Sequence, residues 1–176
     1  MLKELNLQPV YDSECYDLIR DLQVPLLLQS KDYLRGVGFF TSGWLRLAAQ
    51  GMATFVTGGG SARIVVSPIL DEADWEALKF GEIAKTDAVL RETLAKNIED
   101  LAINLENDTR NALAWMVADG LLEFRFALPR NRESAGDYHD KVGIFTDGNG
   151  DRVAIHGSLN DSIKASLNGE AFSVFK

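Results

Sequence analysis

Cysteine, long apolar runs and basic charge are all scarce in this sequence. The 176 residues include a single cysteine, Cys15, which excludes an intrachain disulfide and a cysteine-cluster zinc site. No apolar run approaches the length of a membrane-spanning helix, and the start lacks the basic and apolar segments of a leader. We therefore expect a cytoplasmic protein from a reducing compartment, without a membrane partner.

Acidic residues outnumber basic ones, and the imbalance is local. The net charge is −8, and the segment from Asp71 to Asp108 alone carries eleven acidic and four basic residues, a net of −7. This predicts a solvated acidic helical face and a nearly neutral remainder. Around the site proposed below, we expect a small basic set that binds nucleic acid weakly and with strong salt dependence. Its members are Arg125, Arg130, Arg132, Lys141, Arg152 and Lys164.

The composition fits one globular domain over residues 1–176, since 46% of the residues are hydrophobic and 25% are charged. The chain stops at Lys176, directly after an apolar strand, so we expect a fragment of a longer polypeptide. Strands are predicted at Tyr33–Phe40 and Ala62–Val66, with a helix at Trp44–Phe55 between them. Such a β-α-β unit implies a parallel strand pair with a right-handed crossover.

The rest of the chain predicts a mixed α/β fold. The segment from Asp71 to about Asp119 has helical periodicity, and Leu121–Leu128 and Glu170–Phe175 have strand character. We therefore predict a mixed β-sheet flanked by helices on both faces.

A β-hairpin is predicted within Tyr138–Asp161. Two apolar runs, Val142–Phe145 and Val153–Ile155, flank the turn-forming Asp147–Gly150. If the loop is centred between Gly148 and Asn149, the polar residues of the two strands pair with each other and lie on one face of the hairpin. The core residues lie on the other face. The expected pairs are His139 with Ser158 and Lys141 with His156.

These side chains predict a phosphate-like ligand. A one-residue shift of the loop still gathers His139, Lys141, Ser158 and Asn160. An imidazole, an ammonium, a hydroxyl and a carboxamide together suit an anionic phosphoryl group.

The same residues carry a family resemblance. His139-x-Lys141, Gly157-Ser158-x-Asn160 and Asn168-Gly169-Glu170 resemble, in this order, the signature of the phospholipase D superfamily in its bacterial nuclease-like branch. The upstream half also resembles the phospholipase D-like module ahead of bacterial superfamily 2 helicases. The upstream matches are Val37-Gly38-Phe39-Phe40-Thr41-Ser42, Gly58-Gly59-Gly60, Val66-Ser67-Pro68 and Leu70.

The resemblance implies a phospholipase D-like fold and a mechanism without metal or cofactor. His139 would attack phosphorus to form a phosphohistidine, while Lys141, Ser158 and Asn160 hold the non-bridging oxygens and Glu170 orients His139. The second histidine would come from another copy, which implies a homodimer with two facing His139 side chains. In the rival version His156 supplies the proton and a monomer suffices.

One position departs from the family pattern. The family has an aspartate five residues after the lysine, where this chain has Thr146, and Asp147 follows one place later in the turn. That aspartate is mainly structural in the family, so the departure weakens the match without removing the reacting groups.

Three functional classes remain open. The first is a metal-independent nuclease that acts on DNA in preference to RNA, as the accessory module of a helicase or restriction-type protein. Lipid is a poorer substrate, because no basic interfacial helix is present. The second is a catalytically inactive module for DNA binding or dimerisation. The third is a metal hydrolase using His139 and His156 with Asp140, Asp147 or Asp151, which the charge of Lys141 disfavours.

Overall fold

A computed structural model describes residues 1–98, 100–128 and 137–176. Its centre is a seven-stranded mixed sheet. The strands are β1 (Val10–Asp12), β2 (Asp32–Val37), β3 (Ser61–Val66), β4 (Leu122–Phe126), β5 (Val142–Thr146), β6 (Arg152–Gly157) and β7 (Ala171–Phe175). Their order across the sheet is β1-β7-β6-β5-β2-β3-β4.

The helices connect the first four strands. They are α1 (Val24–Gln29), α2 (Gly43–Leu47), α3 (Ala49–Thr57), α4 (Glu72–Ala84), α5 (Ala88–Lys96), α6 (Leu101–Asn107) and α7 (Thr109–Ala118). A π-helical segment at Leu18–Gln23 leads into α1, and short 3-10 helices lie at Leu2–Glu4 and Ala165–Leu167. Within the described ranges, no helix has both the length and the apolar character needed to cross a membrane.

The predicted β-α-β unit is present. Strands β2 and β3 pair in parallel with α2 and α3 between them, and β4 joins β3 in parallel. Gly59, in the turn after α3, has a φ of +82°, a conformation that glycine adopts without steric cost. The other strand pairs are antiparallel, which makes the sheet mixed and confirms the α/β class.

The acidic segment forms α4, α5 and α6, and an aspartate side chain caps the start of each. Asp71 accepts the N–H of Asp74 at 2.8 Å, Asp87 accepts two N–H groups at the start of α5, and Asp100 accepts that of Ile103 at the start of α6. A carboxylate at this position satisfies an otherwise free N–H and interacts well with the helix dipole. Three of the eleven acidic residues therefore have a structural use as helix caps.

The apolar core lies on one face of the sheet. The ring of Tyr33 stacks on Phe145 at 4.4 Å and lies 6.5 Å from Trp44 of α2, which places α2 over this face. Side chains of the opposite face are only half-buried, including Leu34, Ile144 and Ala154. In the part of the chain that the structure describes, the prediction of helices on both faces is therefore met on one face only.

Candidate functional site

The predicted hairpin is present as β5 and β6, but its register differs from the prediction by one residue. Val142, and not Lys141, pairs with His156. The Asp147 N–H donates to the carbonyl of Asp151 at 3.0 Å, so the loop has three residues. Gly150 has a φ of +84°, the left-handed conformation that closes such a loop. The turn chemistry, and not the apolar pattern, fixed the register.

The observed loop has three residues and not an even number, so, unlike a one-residue shift of the whole loop, this difference places Lys141 and His156 on opposite faces. The Gly157 N–H donates to the Lys141 carbonyl at 3.1 Å, which extends the ladder and places Lys141 on the core face. Its residue is only 5% exposed, whereas His156 is exposed on the opposite face. The predicted pairing of His139 with Ser158 is also wrong, because both residues lie beyond the ends of the two strands.

The side chains of His139 and Asn160 contact two consecutive residues of the segment that follows β2. The Asn160 Oδ1 accepts the N–H of Phe39 at 3.0 Å. A Cβ added to Gly38 would lie only 3.1 Å from Nδ1 of His139, so glycine lets the imidazole approach the backbone. Ser67 donates to the carbonyl of Tyr138 at 2.8 Å and so fixes the residue before His139. The two side chains therefore lie at the carboxyl end of β2, where open sheets commonly bind ligands.

Lys141 is tied to the same segment. Its Nζ donates to the carbonyl of His139 at 2.7 Å. Burial lowers the pKa of Lys141, the charge of Glu170 opposes this, and the charge of Arg35 adds to the lowering, so that the pKa lies below its ordinary value. A poorly solvated ammonium of this kind gains from an anionic neighbour.

Ser158 and Glu170 lie together at the start of β7. The Ser158 hydroxyl accepts the N–H of Ala171 at 3.1 Å, and both Ser158 and Glu170 line a shallow cavity of about 470 Å³. Among the described residues, no hydrogen bond joins Glu170 to His139. Glu170 acts on the site through its charge on Lys141.

The sequence reasoning missed a buried ion pair, Arg35 with Asp161. The guanidinium donates to both carboxylate oxygens of Asp161, at 2.6 to 3.1 Å, and to the carbonyl of Leu159 at 2.8 Å. Both side chains are fully buried. The pair fixes the residues on either side of Asn160. An arginine within an apolar strand was the signal, since a buried cation requires an acidic partner.

Among the described members of the predicted basic set, Arg125 and Arg152 do not share one patch. Arg130 and Arg132 lie outside the described residues. Arg125 bonds Glu123 at 2.7 Å on β4, and Arg152 lies at the turn end of the hairpin, opposite Thr146. Where the chain is described, no group of three or more His, Cys, Asp or Glu side chains is arranged to hold a metal ion.

Comparison of the sequence with protein-family models and with curated proteins finds no match. The function must therefore be inferred from the residues described above. His139, Lys141 and Asn160 are linked by contacts at the end of β2, and Ser158 and Glu170 lie at the start of β7. At this end of the sheet His139 and Ser158 are exposed, Asn160 is half-buried, and Lys141 lies buried beneath them.

Proposed function

We propose that this chain is a metal-independent phosphodiesterase of the phospholipase D type that cleaves DNA through a covalent phosphohistidine. The observation that carries the proposal is the shared position of His139 and Asn160, which contact Gly38 and Phe39. Because the Phe39 N–H occupies the Asn160 oxygen, the Nδ2 group remains available to donate. A donor beside an imidazole suits the non-bridging oxygens of a phosphodiester.

Two further side chains carry hydrogen-bond donors that suit the same phosphodiester ligand. Lys141 uses one N–H for the carbonyl of His139 and keeps two. The Ser158 oxygen accepts the N–H of Ala171, so its own proton is free to be donated. With Asn160, these groups match the oxygen-holding set that the family resemblance implies.

The reaction has two displacements at phosphorus. An imidazole nitrogen of His139 attacks, a P–N bond forms, and the P–O bond to the leaving group breaks as a general acid protonates that oxygen. Water then attacks the phosphohistidine and releases the phosphate product. Since His156 and Lys141 occupy opposite faces of the sheet, we assign the acid to His139 of a second copy, in a homodimer.

DNA affinity from this chain alone would be small, because the net charge is −8 and, among the described basic residues, Arg125 and Arg152 lie apart on β4 and β6. We extend the proposal to a helicase-like or restriction-type module that engages the DNA and delivers it to His139. Such a partner would supply the phosphate contacts that this domain lacks.

The test is DNA cleavage in excess chelator by the wild type, His139→Ala and His156→Ala. We expect His139→Ala to lose more than about 1,000-fold of the rate, because no nucleophile remains. His156→Ala is the matched control and keeps the wild-type rate to within about twofold. Acid-labile phosphate should be trapped on the wild type and not on His139→Ala. Cleavage that disappears with chelator, or that survives His139→Ala, would contradict the proposal.

A second candidate is an inactive module that binds DNA. The missing hydrogen bond between Glu170 and His139 favours it, since a nucleophilic imidazole is normally oriented by such a partner. In that case His139→Ala binds DNA as tightly as the wild type, and neither protein cleaves it.

A further inference from the structure

In the part of the chain that the structure describes, strand β4 forms one edge of the sheet and is hydrogen-bonded to β3 on one side only. The N–H of Ala62 donates to the carbonyl of Leu121, and that of Ala127 donates to Val66. Odd-numbered residues of the strand therefore direct their backbone groups to β3. By alternation, Leu122, Phe124 and Phe126 direct theirs to the free edge. A free edge of this kind is a template for another strand.

Exposed apolar side chains lie beside this edge. Trp75 of α4 is 43% exposed and packs edge-on against Phe126, and Ile83 is 55% exposed. Together with Leu78 and Phe124, these side chains line a mainly apolar cavity of about 540 Å³ between α4 and β4. The edge and the cavity form one continuous surface.

The charges on β4 identify the strand that fits. Glu123 and Arg125 lie on the same face of the strand, on either side of Phe124. An antiparallel copy of β4 centred on Phe124 places each Glu123 opposite Arg125 of the second copy. Centring the pair on Glu123 or on Arg125 would instead oppose like charges. The charge pattern therefore favours one partner, a second β4, in one register.

The backbone pattern agrees with the same register. With the two-fold axis at Phe124, the residues whose N–H and C=O groups face the free edge meet each other. Phe124 pairs with itself, and Leu122 pairs with Phe126 of the second copy. Glu123 and Arg125 then occupy non-hydrogen-bonded pairs, in which cross-strand side chains approach most closely.

We propose that β4 is a self-association edge, through which two copies of this chain join their sheets antiparallel about a two-fold axis at Phe124. The contact is isologous, because the same surface serves both copies. It brings Trp75 and Ile83 close to the second sheet. The axis sends the carboxyl ends of β2 in opposite directions, so this interface is separate from the one proposed to join two His139 residues and does not depend on it.

The test is the molar mass of the full chain by sedimentation for four proteins. They are the wild type, Glu123→Arg, Arg125→Glu and the double variant that exchanges the two charges. Each single variant opposes like charges at two positions, so we expect its association through β4 to weaken by at least about 10-fold and its mass to fall, to the dimer where the His139 interface also forms and to the monomer where it does not. The double variant, and an equimolar mixture of the two single variants, should recover the wild-type mass.

The mixture is the decisive arm, because unfolded chains cannot recover the mass by pairing with each other. Arg152→Glu, an exposed change on β6, controls for a general effect of charge. A monomeric wild type would overturn the proposal and leave the edge to a different partner. Single variants with the wild-type mass, or a mixture that stays at the lower mass, would overturn it as well.

Discussion

The two ends of the β5–β6 hairpin use similar polar residues in opposite ways. At the turn end, Asp147 is buried and its carboxylate accepts the N–H groups of Leu2, Asn149 and Asp151 at 2.9 to 3.1 Å. At the open end, Ser158 and Asn160 each accept one backbone N–H, Lys141 donates to one backbone carbonyl, and all three keep further donors. A saturated polar group stabilises the fold, whereas an unsaturated donor is available to a ligand.

Two buried aspartates of the hairpin region also differ in what they hold in place. Backbone amides surround Asp147, which ties the turn to the start of the chain. Asp161 is paired with Arg35 and holds the segment that carries Asn160. Asp147 therefore serves the fold alone, and Asp161 serves both the fold and the site.

The largest effect is expected at the Arg35–Asp161 pair. Asp161→Ala leaves a buried guanidinium without its partner, so we expect a loss of about 3–5 kcal/mol in the free energy of unfolding. The double variant Arg35→Met, Asp161→Leu replaces both charges with apolar groups and should return to within about 1 kcal/mol of the wild type, or exceed it. Urea unfolding measures both values.

The double variant also tests the positioning role of the pair. If Arg35 and Asp161 hold Asn160 in place, the double variant folds stably and cleaves DNA at least about 10-fold more slowly than the wild type. Wild-type cleavage by the stable double variant would show that the pair serves stability alone. A cost below about 1 kcal/mol for Asp161→Ala would contradict the burial argument itself.

Asp147→Asn is expected to have a smaller effect, confined to stability. Burial raises the pKa of Asp147, but three backbone N–H groups lower it, and the net pKa lies below its ordinary value of 3.8. A carboxylate with a lowered pKa stabilises the fold above the unfolded-state pKa, and that stability is lost as the pH falls through the folded-state pKa.

The wild type should therefore melt at a higher temperature than Asp147→Asn at pH 7, and the difference should shrink below about pH 4. Thermal melts from pH 7 to pH 2 measure it. DNA cleavage at pH 7 should stay within about twofold of the wild type, because the turn is at the far end of the hairpin. A difference that grows as the pH falls would contradict the assigned role of Asp147.

The sequence predicted the local elements better than the contacts between distant segments. The β-α-β unit and the hairpin follow from short apolar periods and from turn residues, which act over a few positions. The register depended on whether Gly150 or the Gly148–Asn149 pair formed the tight part of the turn. The Arg35–Asp161 pair joins residues 126 positions apart, and no local pattern records such a contact.

Thr146→Asp places an aspartate at the position where the family pattern has one, and its effect should be the smallest. Thr146 lies opposite Arg152 on one side and Asp32 on the other, so a new carboxylate gains one favourable and one unfavourable neighbour. We expect the free energy of unfolding to change by less than about 0.5 kcal/mol and the cleavage rate to stay the same. The N–H groups of Asn149 and Asp151 in the turn already donate to Asp147. A large gain in cleavage would show that the turn end of the hairpin affects the site at its open end. The division of roles between the two ends would then be wrong.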